Sequence, residues 1–133
     1  MKPDIKTKSV HSADDSGTDR FRVLVTRFRG RGLETNRYDA WVASLGPTEK
    51  LLREVQSGKI GWPEFARRYR KELLEPAALD KRNRVIKNHG QKFTLRLLQA
   101  LAQRVPVTLL CHCAEDQPHC HRHILKSMLE GKI

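Results

Sequence analysis

The sequence predicts an α/β fold, with a small, largely parallel sheet and several helices packed on it. Two runs, Phe21–Phe28 and Val105–Cys113, are rich in β-branched and aromatic residues and read as strands. The long stretch between them carries helical periodicity and is far too long for a hairpin. Connections of that kind are crossovers, which leave the strands parallel and the helices on the sheet faces.

The elements follow in order. Residues 5–10 read as a short polar strand and 11–19 as a polar loop containing Gly17. This segment, 1–19, is expected to belong to the same domain as residues 20–133. The strand from Phe21 ends in Arg29-Gly30-Arg31-Gly32, where the glycines permit tight turns and the arginines stay available to an anion. Tyr38, Trp41, Val42 and Leu45 are spaced as one helix face, which Gly46-Pro47 stops. Thr48 is placed to cap a second helix carrying Leu51, Leu52 and Val55 and ending at Gly58. Trp62-Pro63 opens a third, with Phe65, Tyr69 and Leu73 along one side and Pro76 beyond it. A helix is expected over 77–89, on the thin pattern Leu79, Val85 and Ile86, and another from Phe93 to Leu101 on Leu97, Leu98 and Leu101. After the second strand, residues 114–119 form an exit loop. Cys120–Glu130 is a closing helix with Ile124, Leu125, Met128 and Leu129 inward. Trp41, Trp62, Phe65 and Tyr69 read as core.

A chain of 133 residues suits one domain. Its longest unbroken apolar stretches, such as Val23–Val25, fall far short of the roughly 20 residues of a membrane helix. The N-terminus leads into no apolar segment, and the odd number of cysteines, three, rules out complete internal pairing. Reduced thiols and a cytoplasmic location are therefore expected. The net charge of +11 concentrates in residues 20–37 and 81–104. Such a surface attracts polyanions, so a non-enzymatic nucleic-acid-binding module is one functional reading.

The most specific signal is Cys111-His-Cys-Ala-Glu-Asp-Gln-Pro-His-Cys-His-Arg-His123, which holds all three cysteines and four of the six histidines. Strand alternation puts Cys111 and Cys113 on one face and His112 on the other. On the helix, His121 points with the apolar stripe, Cys120 and Arg122 flank it, and His123 faces water. Cys120 lies in the first turn, where the partial positive charge lowers a thiol pKa. Three chemistries stand open. Cys111, Cys113, Cys120 and His121 form a soft ligand set for zinc, although Cys-x-Cys is tighter than usual finger spacing. Alternatively Cys113 or Cys120 is a nucleophile with His121 as base and Arg122 as anion holder, Arg27 or Arg29 standing opposite. In the third, the cysteines fill space, a reading favoured for Cys111 taken alone. Glu115-Asp116 reads as a solvated loop pair. The leading reading is a pocket at the strand ends for an anionic small molecule, metal-dependent or thiol-dependent.

Several motifs resemble a known family. Arg22–Leu33, Trp41 with Leu45–Leu52, the Phe-x-x-x-Tyr-x-x-Glu-Leu helix at Phe65–Leu73 and the strand Val105–Leu110 are similar to YeaO-like proteins, the domain of unknown function 488 family. Cys113-Ala114-Glu115 and Cys120-His121-Arg122 are similar to another branch of it. The resemblance covers roughly residues 5–130. It implies an α/β fold and supplies no established reaction. Where the family's first strand tends to end in Asp-Arg, this chain has Thr26-Arg27. The YeaO branch lacks the cysteines, which implies a site added in this branch and not a folding staple.

Overall fold

The computed structural model describes residues 3–13, 15–76, 78–82, 84–85 and 90–133. Four strands, β1 (Ile5–Ser9), β2 (Phe21–Leu24), β3 (Ala40–Trp41) and β4 (Val107–Cys111), form one sheet in the order β1-β4-β2-β3. Every pairing is parallel, with Ile5 and Phe21 both level with Val107, and Val23 level with Ala40. The α/β reading with a parallel sheet is thus correct. All five residues of β4 are buried, as expected of an apolar run covered on both faces.

The helices are α1 (Ser16–Asp19), α2 (Glu49–Gln56), α3 (Trp62–Leu74), α4 (Ala78–Lys81), α5 (Lys92–Ala102) and α6 (His121–Glu130). On one face of the sheet, Val23, Val107 and Leu109 meet the inward stripes of α2, α3, α5 and α6 in the main core. The other face is thinner: Leu24 and Leu110 pack against Val10, Leu33 and Tyr38. Local signals explain the ends of the helices. Thr48 Oγ1 accepts the Leu51 amide at 3.3 Å, capping α2, and Pro63 sits in the first turn of α3.

Four expectations change. The first strand leaves the sheet after Leu24, because Thr26 and Arg27 turn to the carbonyls of Phe28, Gly46 and Pro47. The helix expected over Tyr38–Leu45 is instead the edge strand β3 and a 3₁₀ turn at Ala43–Leu45. Sheet pairing wins there: Asp39 N and Val42 N donate to Arg22 O and Leu24 O, and Trp41 Nε1 donates to Thr26 O at 2.7 Å. Gly46 must then pass so near Arg27 that a Cβ would lie 2.4 Å from its amide nitrogen. Of the helix expected over 77–89, α4 is the helical part among the described residues. Residues 77, 83 and 86–89, including Ile86, lie outside them. Finally, α5 buries Leu95, Leu98 and Ala102, while Leu97 is exposed. No helix among the described residues is long and apolar enough to cross a membrane.

The thin face is tied down by one carboxylate. Asp19, at the end of α1, is 2% exposed and receives Lys6 and Lys8, each at 2.8 Å. Its backbone carbonyl accepts Thr108 Oγ1 from β4 at 2.9 Å. Burial alone would raise the Asp19 pKa, but the two ammonium groups and the Asp15 amide pull it down to about 2, from an ordinary 3.8. A depressed carboxyl pKa adds stability above the ordinary value, and that stability is lost as pH falls through the folded-state value. Asp19→Asn should therefore cost about 2 kcal/mol at neutral pH, in the range of hydrogen bonds to charged groups. Urea titrations across pH should show the deficit closing as pH falls from 4 to below 2, as the wild-type carboxyl takes up its proton.

Candidate functional site

The central strand β4 ends at Cys111, and its alternation carries Cys113 back towards the face that holds α6. The chain then turns through residues 114–119 and enters α6, with Cys120 as the extended N-cap. This brings the three sulfurs together: the Sγ atoms of Cys111, Cys113 and Cys120 all lie within 4.8 Å of one another, and those of Cys111 and Cys120 are 2.9 Å apart. Cys111 and Cys120 are buried, and Cys113 is half-buried. Cys111 thus stands inside the cluster.

Arg122 explains why the loop folds back. It is 1% exposed. Its Nη2 donates to the carbonyls of Ala114 at 3.0 Å and Glu115 at 3.1 Å. Its Nη1 donates to Cys113 O at 3.3 Å and to Cys111 Sγ at 2.7 Å. The expected anion holder is thus turned inward onto the loop and the sulfurs. Glu115, read from sequence as solvated, fastens the same loop to the end of β1: its carboxylate accepts Ser9 N at 2.7 Å and Ser12 Oγ at 2.6 Å.

His121 is buried against the edge of the Tyr69 ring. Its Nε2 lies 2.7 Å from the carbonyl oxygen of Val25, which can only accept, so Nε2 carries the proton. Burial lowers the His121 pKa, the Val25 contact notwithstanding, and the ring is neutral. Its Nδ1 lone pair therefore points to Cys120 Sγ, 3.9 Å away. His123 is half-buried, reaching Gln117 O at 3.0 Å, and His112 points to the other face, towards His11.

The sulfurs titrate as one unit. The Cys113 thiol is pulled far below its ordinary range, first by the thiol groups of Cys111 and Cys120 acting as donors and then, against the cost of burial, by the nearby charge of Arg122. Cys120 is pushed up by the same two neighbours, and Cys111 is raised chiefly by Cys113. Arg122 and the Cys113 amide also donate to Cys111 Sγ. Cys113 is therefore the most acidic of the three thiols, and it is the one that is only half-buried.

Cys113, Cys120 and His121 line a cavity of about 520 Å³, within the range of small-molecule sites. Its walls are mostly apolar: Leu52, Val55, Ile60, Trp62 and Phe65. Trp62 stacks between Phe65 and His119, at ring-centroid distances of 4.9 and 4.8 Å. Trp62 and Phe65 were legible as core only. The signal that Trp62 does more is that the α3 stripe runs to the first residue of the helix, where it emerges from the core. The structure does not bring Arg27 or Arg29 to this cavity. Arg27 donates to Gly46 O and Pro47 O, and Arg29 to Tyr38 Oη and Leu33 O. Arg22 and Arg37 likewise hold internal acceptors, so much of the first basic stretch is used within the fold.

A family model described as "Active DUF488-N3 subclade" matches residues 5–132. The chain belongs to the DUF488 family. The resemblance seen in the sequence is therefore correct, and it extends over almost the whole chain. No curated protein and no solved structure matches it. In this DUF488 chain the two motifs, Cys-Ala-Glu and Cys-His-Arg, are the two sides of one loop closed by Arg122.

If Arg122 both closes the loop and favours the thiolate, a shorter, point-charged donor cannot replace its planar fork. Arg122→Lys should destabilise the fold by about 2–4 kcal/mol, since buried carbonyls lose their donors. It should also raise the Cys113 pKa, so the pH profile of iodoacetamide alkylation shifts upward relative to wild type.

Proposed function

We propose that this DUF488 protein is a thiol-dependent catalyst whose reactive group is the sulfur of Cys113. The observation that carries this reading is the half-buried Cys113 at the wall of the cavity, with two buried thiols and a buried guanidinium behind it. A thiolate is the nucleophilic form of cysteine, and neighbouring donors and cations are what stabilise it. Cys111 and Cys120 act as donors, Arg122 supplies the charge, and His121 offers a neutral nitrogen beside Cys120. The description of the subclade as active accords with a reactive centre. The cavity accommodates a compound with a partly apolar body and an electrophilic atom turned towards Cys113. Arg122 acts on it through the sulfurs, since its guanidinium is taken up by the loop.

A second reading has its own observation. Three sulfurs within 4.8 Å are a soft donor set for a metal such as zinc. Two features weigh against it. Ligands of tetrahedral zinc, at Zn–S about 2.3 Å, stand about 3.8 Å apart, whereas Cys111 and Cys120 are at 2.9 Å. The Arg122 guanidinium, 2.7 Å from Cys111 Sγ, also places a permanent cation beside the site a dication would take.

Protein purified without chelator or affinity tag should contain no stoichiometric zinc or iron by elemental analysis. One thiol should react fast with iodoacetamide, and its rate should persist to mildly acidic pH, where an ordinary thiol has become unreactive, because the Cys113 pKa is lowered. Cys113→Ser should abolish that fast phase. One bound metal per chain, released on replacement of Cys111, would favour the second reading instead.

A further inference from the structure

A nucleophile for group transfer needs one thiol, yet here two more sulfurs lie against it. Both are buried, Cys120 at the cavity wall beside Cys113 and Cys111 behind them. We propose that the cluster is a two-electron relay that reduces an organic hydroperoxide with an apolar body, Cys113 reacting first and Cys120 closing a disulfide with it. The inference rests on the reading of Cys113 as the reactive thiol.

The chemistry balances as follows. The Cys113 sulfur attacks the outer oxygen of the hydroperoxide. The O–O bond breaks, an S–O bond forms, and the alkoxide takes a proton and leaves as the alcohol. The peroxide gains two electrons, and Cys113 becomes a sulfenic acid. Cys120 sulfur then attacks Cys113 sulfur. An S–S bond forms, the S–O bond breaks, and the departing hydroxide leaves as water with the proton from Cys120. An external dithiol returns both cysteines to thiols and becomes a disulfide itself.

The geometry selects the roles. Cys113 is the half-buried sulfur on the cavity wall. Cys111 is held at the end of β4 by Arg122 Nη1 at 2.7 Å and the Cys113 amide at 3.3 Å. Cys120 sits at a loop–helix junction within 4.8 Å of Cys113, with His121 Nδ1 at 3.9 Å beside its proton. The apolar wall of Leu52, Val55, Ile60, Trp62 and Phe65 fits the carbon body of the hydroperoxide.

Reduced full-length protein would be treated with one equivalent of cumene hydroperoxide or of hydrogen peroxide. The free-thiol count should fall from three to one, with a mass loss of about 2 Da that dithiothreitol reverses. Cleavage between Cys113 and Cys120 should leave the two halves joined. Cumene hydroperoxide should react about tenfold faster than hydrogen peroxide, where a thiol without a pocket would show no such preference. Cys120→Ser should accumulate a sulfenic acid at Cys113 that dimedone traps. Circular dichroism of each variant separates loss of chemistry from loss of fold. Fast alkylation of Cys113 without a disulfide, its oxidation running on to sulfinic acid, would overturn the relay and leave the thiol reading standing. Equal rates with both peroxides would overturn the apolar substrate. A Cys113 inert to both iodoacetamide and peroxide would overturn the thiol reading itself.

Discussion

A permanent charge in the interior governs the carboxyl end of this sheet. Arg122 is buried in the first turn of α6. Taking such an ion out of water costs several kcal/mol even after relaxation. Carbonyl groups of residues 113–115 solvate the fork, but they carry no net charge. The Glu115 carboxylate is occupied with Ser9 and Ser12, so the side-chain acceptor in direct contact with the guanidinium is the sulfur of Cys111. Fold and chemistry are therefore coupled. The cation that draws the exit loop over the end of β4 is also one of the charges that lower the Cys113 pKa.

The same coupling explains what the sequence could and could not reveal. Alternation along β4 is a local rule, so it sent Cys111 and Cys113 to one face and His112 to the other. The capping of α2 by Thr48 and the Phe65–Tyr69–Leu73 stripe of α3 are local too, and they read correctly. Failures came where tertiary pairing overrides spacing. Tyr38, Trp41, Val42 and Leu45 satisfy a helical period, but a two-residue edge strand leaves almost no periodic signal. The hydrogen bonds that decide the matter come from β2. Leu97 was misplaced for a related reason: α5 is apolar on more than one side, and only the position of the sheet shows that Leu95 and Leu98 face it.

Charge was the least legible property of the site. A count of arginines cannot distinguish a guanidinium that faces solvent from one that holds carbonyl groups. In residues 20–37, Arg22, Arg27, Arg29 and Arg37 all hold internal acceptors. Arginine suits this role because it offers five donors in a plane and stays charged when buried. A high isoelectric point therefore overstates the cationic surface of this chain.

Each residue of the two motifs has a distinct physical task, which is why their spacing matters. Cys113 ends the alternating run and meets the cavity. Glu115 reaches the opposite way, fastening the loop to β1. Cys120 begins the helix in extended backbone, so its sulfur folds inward to within 2.9 Å of Cys111. His121 is held by Val25, one residue beyond β2, and this sets which ring nitrogen is free. Arg122 then spans the loop back to residues 113–115. Removing one residue from 116–119 would keep every side chain of the two motifs but misalign the carbonyls with the fork. The spacing of the motif is therefore a solvation requirement of one buried cation, and the meeting of the three sulfurs depends on that requirement being met.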